Sequence, residues 1–254
     1  MKRLVTRART RLAELPHLLE RPRVGSAAWL VRTEVAYGGL VTGVARRKVS
    51  PHDSRSPAEL AVGGMIGGDR MLHHGYAPAY ARHLAPFLSA DGLVLAEFGI
   101  LEGSGLAIWC DLFPDARILG FYIDLTHFER NRPTLLRRGA FKRNQPQLHE
   151  YDQLVDGTRS LADALRGDTL DVVIDDGLHT LDAILTTWRS VRPHLSPRFV
   201  YFIEDYHGLL DQCGNEFSGL DCTTSGMLTV ISSGVPAGAE QREPRGADAS
   251  PGSQ

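Results

Sequence analysis

Leu170-Asp171-Val172-Val173-Ile174-Asp175-Asp176-Gly177-Leu178-His179-Thr180 is an apolar run that stops abruptly in two carboxylates, a glycine and a histidine. Such a run reads as a buried parallel strand whose last residues emerge at the carboxyl edge of a sheet, where open α/β folds bind ligands. Asp175, Asp176 and His179 are therefore the first candidate functional residues. At this one place the competing reading, an aspartate that merely caps the next helix, stands about equal.

The neighbouring segments repeat the pattern. Upstream, Gly92 to Ile100 reads as a first strand, and Leu101-Glu102-Gly103-Ser104-Gly105 leads into a helix carrying Leu106, Ile108, Trp109 and Leu112. Strand, glycine turn, helix is the arrangement that lets a backbone approach a cofactor at a helix N-terminus, although the full GxGxxG spacing is missing. Arg117 to Ile123 is a second strand ending at Asp124, placed where a carboxylate would reach ribose hydroxyls. A helix over Thr126 to Gly139, a third strand near Gln147 to Tyr151 ending in Asp152-Gln153, and a helix over Thr158 to Leu165 complete the upstream half. Downstream, His179 to Val191 reads as a helix and Arg198 to Ile203 as a fifth strand, stopping in Glu204-Asp205. Beyond Leu210 the one plausible strand is Met227 to Ile231, and Pro236 to Gln254 has the Ala/Gly/Ser/Pro composition of a disordered tail.

Alternating strands and helices predict an α/β fold, a doubly wound, mostly parallel Rossmann-like sheet. In that architecture the glycine turn, Asp124, Asp152-Gln153, Asp175-Asp176 and Glu204-Asp205 converge on one edge. Converging carboxylates repel and raise one another's pKa unless something positive sits among them, and a hard divalent cation such as Mg²⁺ is the simplest answer. Separate helix caps that never share an ion are the alternative.

Composition sets the frame. The chain has 254 residues, 43% hydrophobic, enough for one large domain with an appendage. Its net charge of −2 hides an asymmetry: residues 1–48 hold 11 Lys/Arg against 3 Asp/Glu, and the remainder 17 against 27. Residues 1–58 thus read as a basic helical appendage and linker, 59–235 as the main domain, and 236–254 as the tail. Apolar residues recur at helical spacing through Leu4, Val5, Ala8, Leu12, Leu15 and Leu18, a face for a protein partner, a membrane surface or a nucleic acid. Three cysteines with no CxxC pair indicate neither a zinc knuckle nor a disulfide framework, and a cytoplasmic setting is expected. No run is long and apolar enough for a spanning helix, and no signal peptide is read.

Taken in order, Asp69-Arg70-x3-His74-Gly75-Tyr76-x3-Tyr80, Glu97-Phe98-Gly99-x3-Gly103-Ser104-x4-Trp109, Phe113-Pro114-x-Ala116, Asp152-Gln153, Asp175-Asp176-Gly177-x-His179 and Ile203-Glu204-Asp205 form a series. It resembles the metal-dependent sugar O-methyltransferases of the macrocin and mycinamicin type, which are class I S-adenosylmethionine (SAM) enzymes; actinobacterial methylmannose O-methyltransferases are a closer candidate. The resemblance covers about residues 67–206. It implies that Gly99, Gly103 and Ser104 shape the SAM loop, that Asp152 and Gln153 sit near adenine, and that Asp124, Asp175 and Tyr76 also face the cofactor. It further implies that Asp176, Glu204 and Asp205 hold Mg²⁺ or another divalent cation, with Asp175 replacing Asp176 if the register differs by one residue. His179 would be the general base for a sugar hydroxyl attacking the sulfonium methyl. Three features depart from the family: Arg70 where lysine is common, Tyr122 where an acid is common, and a short C-terminal third.

The partners so implied are a small sugar-containing acceptor and further copies of the chain, with no nucleic acid. A phenol or catechol O-methyltransferase and a non-catalytic SAM-binding module are the rival readings. The Asp-Asp-Gly strand end differs from the Asn/Asp-Pro-Pro-Tyr/Phe pattern of base-amino methylation, and the missing GxGxxG disfavours a nicotinamide protein.

Overall fold

The computed structural model describes residues 12–42, 56–58, 63–65 and 68–233. Most of the expected linker, the first eleven residues and the expected tail lie outside them. Among the described residues, no helix is long and apolar enough to cross a membrane.

A seven-stranded sheet organises the chain. Its strands are β3 (Val94–Phe98), β4 (Arg117–Tyr122), β5 (Gln147–Glu150), β6 (Leu170–Asp175), β7 (Leu195–Ile203), β8 (Asp221–Ser225) and β9 (Leu228–Ser232), in the spatial order β5-β4-β3-β6-β7-β9-β8. β3 to β7 pair in parallel, and β9 runs antiparallel between β7 and β8. The expected doubly wound, mostly parallel sheet is therefore found. A separate two-stranded ribbon pairs β1 (Leu40–Thr42) with β2 (Gly63–Met65).

The period of two along each central strand divides the core into two layers. Leu95, Val172, Ile174, Val200 and Phe202 point to one face, where they meet α1 (Ala27–Gly38), α2 (Ala77–Leu84), α3 (Ser104–Leu112) and α4 (Thr126–Arg137). Val94, Ala96, Phe98, Val173, Tyr201 and Ile203 point to the other, against α5 (Thr158–Leu165) and α6 (Leu181–Val191). Both faces are covered, so the central strands are apolar throughout rather than alternating.

Two differences from the sequence reading have local causes. β8 has the sequence Asp-Cys-Thr-Thr-Ser and is mostly exposed, so it lacks the apolar alternation that marks a strand. It is an edge strand, tied to β9 through a tight turn at Gly226 (φ 64°) and Met227, and this hairpin completes the sheet where the chain looked short. Helix α6 starts at Leu181 rather than His179, because Thr180 is its N-cap, extended in backbone and accepting a hydrogen bond from Ala183 N at 3.4 Å.

Helix α1 lies in the N-terminal stretch read as an appendage, yet Trp29, Leu30 and Tyr37 share a core cluster with α2 and α3. Ser26 caps it, accepting from Trp29 N at 3.2 Å. The Tyr37 hydroxyl donates to Asp111 on α3, and Arg138 donates to the Tyr37 carbonyl. Residues 12–19 are also helical, with Leu12 and Leu19 exposed and Leu18 packed near Val35 and Leu40.

Candidate functional site

The parallel strands end on one edge, and a cavity of about 460 Å³ opens there. Its wall includes the turn after β3 (Gly99 to Leu101), Tyr122 and Ile123 at the end of β4, and Asp152 to Leu154 after β5. Asp176 to His179 after β6 and Asp205 after β7 complete that side, while Glu34, Asp69 and Arg70 close the opposite one.

Glycine is required at the turn. Gly99 has φ 91°, and a Cβ built on it would lie 1.9 Å from the Asp176 carbonyl oxygen. Gly103 (φ 81°) begins α3 without a side-chain cap, and its Cβ would lie 2.4 Å from the Phe128 ring. The turn thus packs backbone to backbone against the exit of β6, with Asp176 N donating to Phe98 O at 2.9 Å.

The two aspartates at the end of β6 differ in their surroundings. Asp175 is buried and accepts from Gln153 Nε2 at 2.7 Å and Tyr201 OH at 3.1 Å, and it does not line the cavity. Burial pushes its carboxyl up to about 6, against the pull of those two donors. Asp176 does line the cavity. Gln153 stitches two strand exits together: its Oε1 accepts from Leu178 N at 2.9 Å and its Nε2 also reaches Thr187 Oγ1 at 3.0 Å. Asp152 lines the cavity, its carboxylate accepting from Leu154 N at 2.9 Å.

Arg70 occupies the centre of the acidic edge. Its buried guanidinium contacts Asp176 Oδ2 at 2.6 Å, Glu97 Oε1 at 2.7 Å and Glu204 Oε1 at 3.2 Å, with the Trp109 ring 5.5 Å away. Burial opposes its charge, but Glu204, Glu97 and Asp176 together raise its pKa above the ordinary value. Glu204 is also buried and accepts a hydrogen bond from Tyr80 OH. Burial drives the Glu204 carboxyl upward while Arg70 pulls it back. The positive charge that converging carboxylates call for is therefore partly supplied from within the protein.

What Arg70 leaves open is a second group. One ligand atom each from Asp176, His179 and Asp205 lies within 4.8 Å of the others. His179 Nδ1 is 3.3 Å from the Glu204 carbonyl oxygen, which can accept a hydrogen bond from the tautomer that carries its hydrogen on Nδ1. Nε2 lies 3.7 Å from Asp176 Oδ1. Tyr76 OH donates to Asp205 Oδ1 at 2.6 Å, and His74 Nδ1 stands 3.8 Å from the same oxygen. His179 (φ 54°) and Asp205 (φ 57°) are both non-glycine residues in left-handed backbone, a conformation that clusters at functional sites.

Of the residues expected from the sequence, Gly99, Ser104, Asp152, Gln153, Asp176, His179 and Asp205 line the cavity. Gly103 does not line it and packs against the Phe128 ring. Asp124 does not line it; its carboxylate accepts from Thr126 N at 3.0 Å and lies 3.2 Å from His127 Nε2, both in the first turn of α4. Tyr76 and Glu204 also lie outside the lining set, reaching the site through Asp205 and Arg70.

No family model matches the chain. Three curated relatives do. The 8-demethyl-8-α-L-rhamnosyl tetracenomycin-C 2'-O-methyltransferase of Streptomyces olivaceus is 27% identical over 146 residues, 55% of this chain and 35% of that one. The mycinamicin VI 2''-O-methyltransferase of Micromonospora griseorubida is 27% identical over 188 residues, 70% and 43% of the two chains. The demethylmacrocin O-methyltransferase of Streptomyces fradiae is 30% identical over 141 residues, 52% and 32%.

The chain is similar to antibiotic-sugar O-methyltransferases.

It spans less than half the length of these relatives. Among solved structures, MycE from the mycinamycin pathway, in complex with Mg, SAH and mycinamycin VI, aligns at 20% identity and a TM-score of 0.49, covering 64% of this chain and 52% of that one.

Sequence reasoning missed Glu34. It lies on α1, fully buried, its two carboxylate oxygens accepting from Met71 N and Leu72 N at 2.9 Å each. The available signal was a lone acid inside the otherwise mostly apolar stretch Ala27 to Gly38.

Proposed function

We propose that this chain transfers a methyl group from SAM to a hydroxyl of a sugar-containing acceptor, an antibiotic sugar or a polysaccharide precursor such as a methylmannose, with a divalent cation and His179 as general base. The observation that carries the reading is the grouping of Asp176, His179 and Asp205 beside the Gly99 turn at the carboxyl edge of the sheet.

The residues present fit both groups. Arg70 Nη1 and Glu97 Oε2 are buried without hydrogen-bond partners among the described residues, in side chains that line the cavity. A donor and an acceptor so paired match the carboxylate and ammonium of an amino-acid head group, which SAM carries. The Gly99 turn gives the backbone room to approach the rest of the cofactor, and Tyr122 and Ile123 take the place of the expected ribose carboxylate. For the cation, Asp176 and Asp205 offer hard oxygen donors of the kind Mg²⁺ prefers. Glu204, expected as a third ligand, is held by Arg70 and Tyr80 in this structure, and shares the Arg70 guanidinium with Asp176.

A bound cation would acidify an acceptor hydroxyl and fix its direction, and SAM would supply an electrophilic methyl on sulfonium sulfur. His179 takes the hydroxyl proton at Nε2, because Nδ1 faces the Glu204 carbonyl. Tyr76 fixes Asp205 through its hydroxyl, and Arg70 fixes Asp176.

The test is the mass gain of one methyl across a panel of sugar and catechol acceptors, with EDTA-stripped protein and with Mg²⁺ restored. EDTA should abolish transfer and Mg²⁺ recover it, and His179→Ala should keep SAH binding while losing roughly 10²- to 10⁴-fold in turnover. Full activity after stripping would overturn the cation, and methylation of catechols alone would overturn the acceptor class.

A further inference from the structure

We propose that Glu34 is a positioning residue of the site: from helix α1 its carboxylate holds the backbone of Met71 and Leu72, and so sets where loop 69–76 delivers Arg70 and Tyr76 to the carboxylates of β6 and β7. The inference builds on the proposed cation site, but its first readout is independent of it.

The geometry forms a chain of fixed points. Helix α1 is anchored to α3 through Tyr37 and Asp111 and held by Arg138 at its end. Both oxygens of Glu34 are committed, one to each backbone N–H, at 2.9 Å. The loop they grip is closed on itself, with His74 N donating to Asp69 O at 2.9 Å and Tyr76 N to Arg70 O at 3.0 Å. Arg70 then meets Asp176 and Glu204, and Tyr76 meets Asp205. Entry to the loop is tight, since a Cβ on Gly68 would lie 2.9 Å from Ser104 Oγ and 3.4 Å from Glu34 Cγ.

An apolar side chain would suit the surroundings of Glu34 better if packing were its whole role. Burial pushes its carboxyl up to about 7, against the opposing pull of the two N–H donors. A buried carboxylate is retained at such a disadvantage only where its hydrogen bonds fix something.

The experiment is hydrogen exchange of loop 69–76 in the wild type, Glu34→Gln, Glu34→Ala and Leu30→Ala. Leu30 is equally buried on the same helix and packs in the core shared with Met71, but has no side-chain acceptor for the loop N–H groups, so it reports loosening by lost packing alone. Glu34→Ala should speed exchange of the loop amides on the order of 10- to 100-fold while β3 and β6 stay protected, and Glu34→Gln, with one acceptor left, should fall between. Wild-type loop exchange in the Gln variant, or equal release by Leu30→Ala, would overturn the inference, and neither needs the Ala variant to fold.

The second readout is Mn²⁺ affinity by electron paramagnetic resonance, expected to weaken by roughly 10-fold or more in Glu34→Gln. Unchanged affinity would overturn the link from Glu34 to the site. If the wild type itself bound no Mn²⁺, the cation reading would fall, and loop exchange would still decide the role of Glu34.

Discussion

Replacing Gly99 with alanine should drive apart the exits of β3 and β6. The new methyl has no room, because its Cβ would lie 1.9 Å from the Asp176 carbonyl oxygen and 2.6 Å from Gly177 Cα, both backbone. Two penalties combine. A φ of 91° lies outside ordinary L-residue space, which costs about 1–2 kcal/mol. Displacing packed backbone costs about 1–3 kcal/mol more. Gly92 provides the comparison, with φ 66° and nothing within 4 Å of its Cβ, so Gly92→Ala carries the conformational penalty alone. Urea unfolding should therefore show Gly99→Ala less stable than Gly92→Ala by about 1–3 kcal/mol, with equal m-values. Equal midpoints for the two variants would refute the claim that the turn is pressed against the Asp176 backbone.

Arg70→Met should leave Glu97, Asp176 and Glu204 without their shared counter-charge and cost about 3–5 kcal/mol at neutral pH, shrinking in acid as the stranded carboxyls protonate. A loss under about 1 kcal/mol in thermal or urea unfolding would mean that the guanidinium does not hold the cluster. Glu34 predicts a pH dependence of stability. Its carboxyl is raised from 4.5 to about 7 in the folded chain, so the native state keeps a proton that the unfolded state has released. The corresponding stabilisation is fully present below pH 4.5 and lost as pH rises through about 7, an interval worth about 3 kcal/mol. Glu34→Gln should flatten that part of the wild-type stability curve, and parallel curves would contradict the burial of an ionisable group there.

The strands were legible where burial on both faces left uninterrupted apolar runs, as at Leu170 to Ile174, and where a glycine marked the turn after β3. β8 was not, since a polar edge strand is specified by its partner β9 rather than by its own sequence. The candidate site was legible as a set of strand ends, because a parallel sheet brings such ends together whatever the loops do. Which oxygen faces the cavity was not: Asp175 and Asp176 are separated by Gln153 and Tyr201, both distant in sequence. The same limit hid Arg70 as the hub, since its three carboxylate partners come from three different strand ends. Asp124 does not line the cavity, because the spacing that suits a ribose ligand also lets its carboxylate accept from Thr126 N at the start of α4.

The left-handed backbone at His179 and Asp205, shared with Leu101, Phe141 and Arg166, carries a conformational cost that the proposed chemistry of these two residues would offset. Glycine or asparagine would sit there more comfortably. A library of variants screened for heat resistance alone should therefore drift toward Gly or Asn at 179 and 205, and a library screened for turnover should not. Under the proposed function, selection for durability and selection for work would pull those two positions in opposite directions.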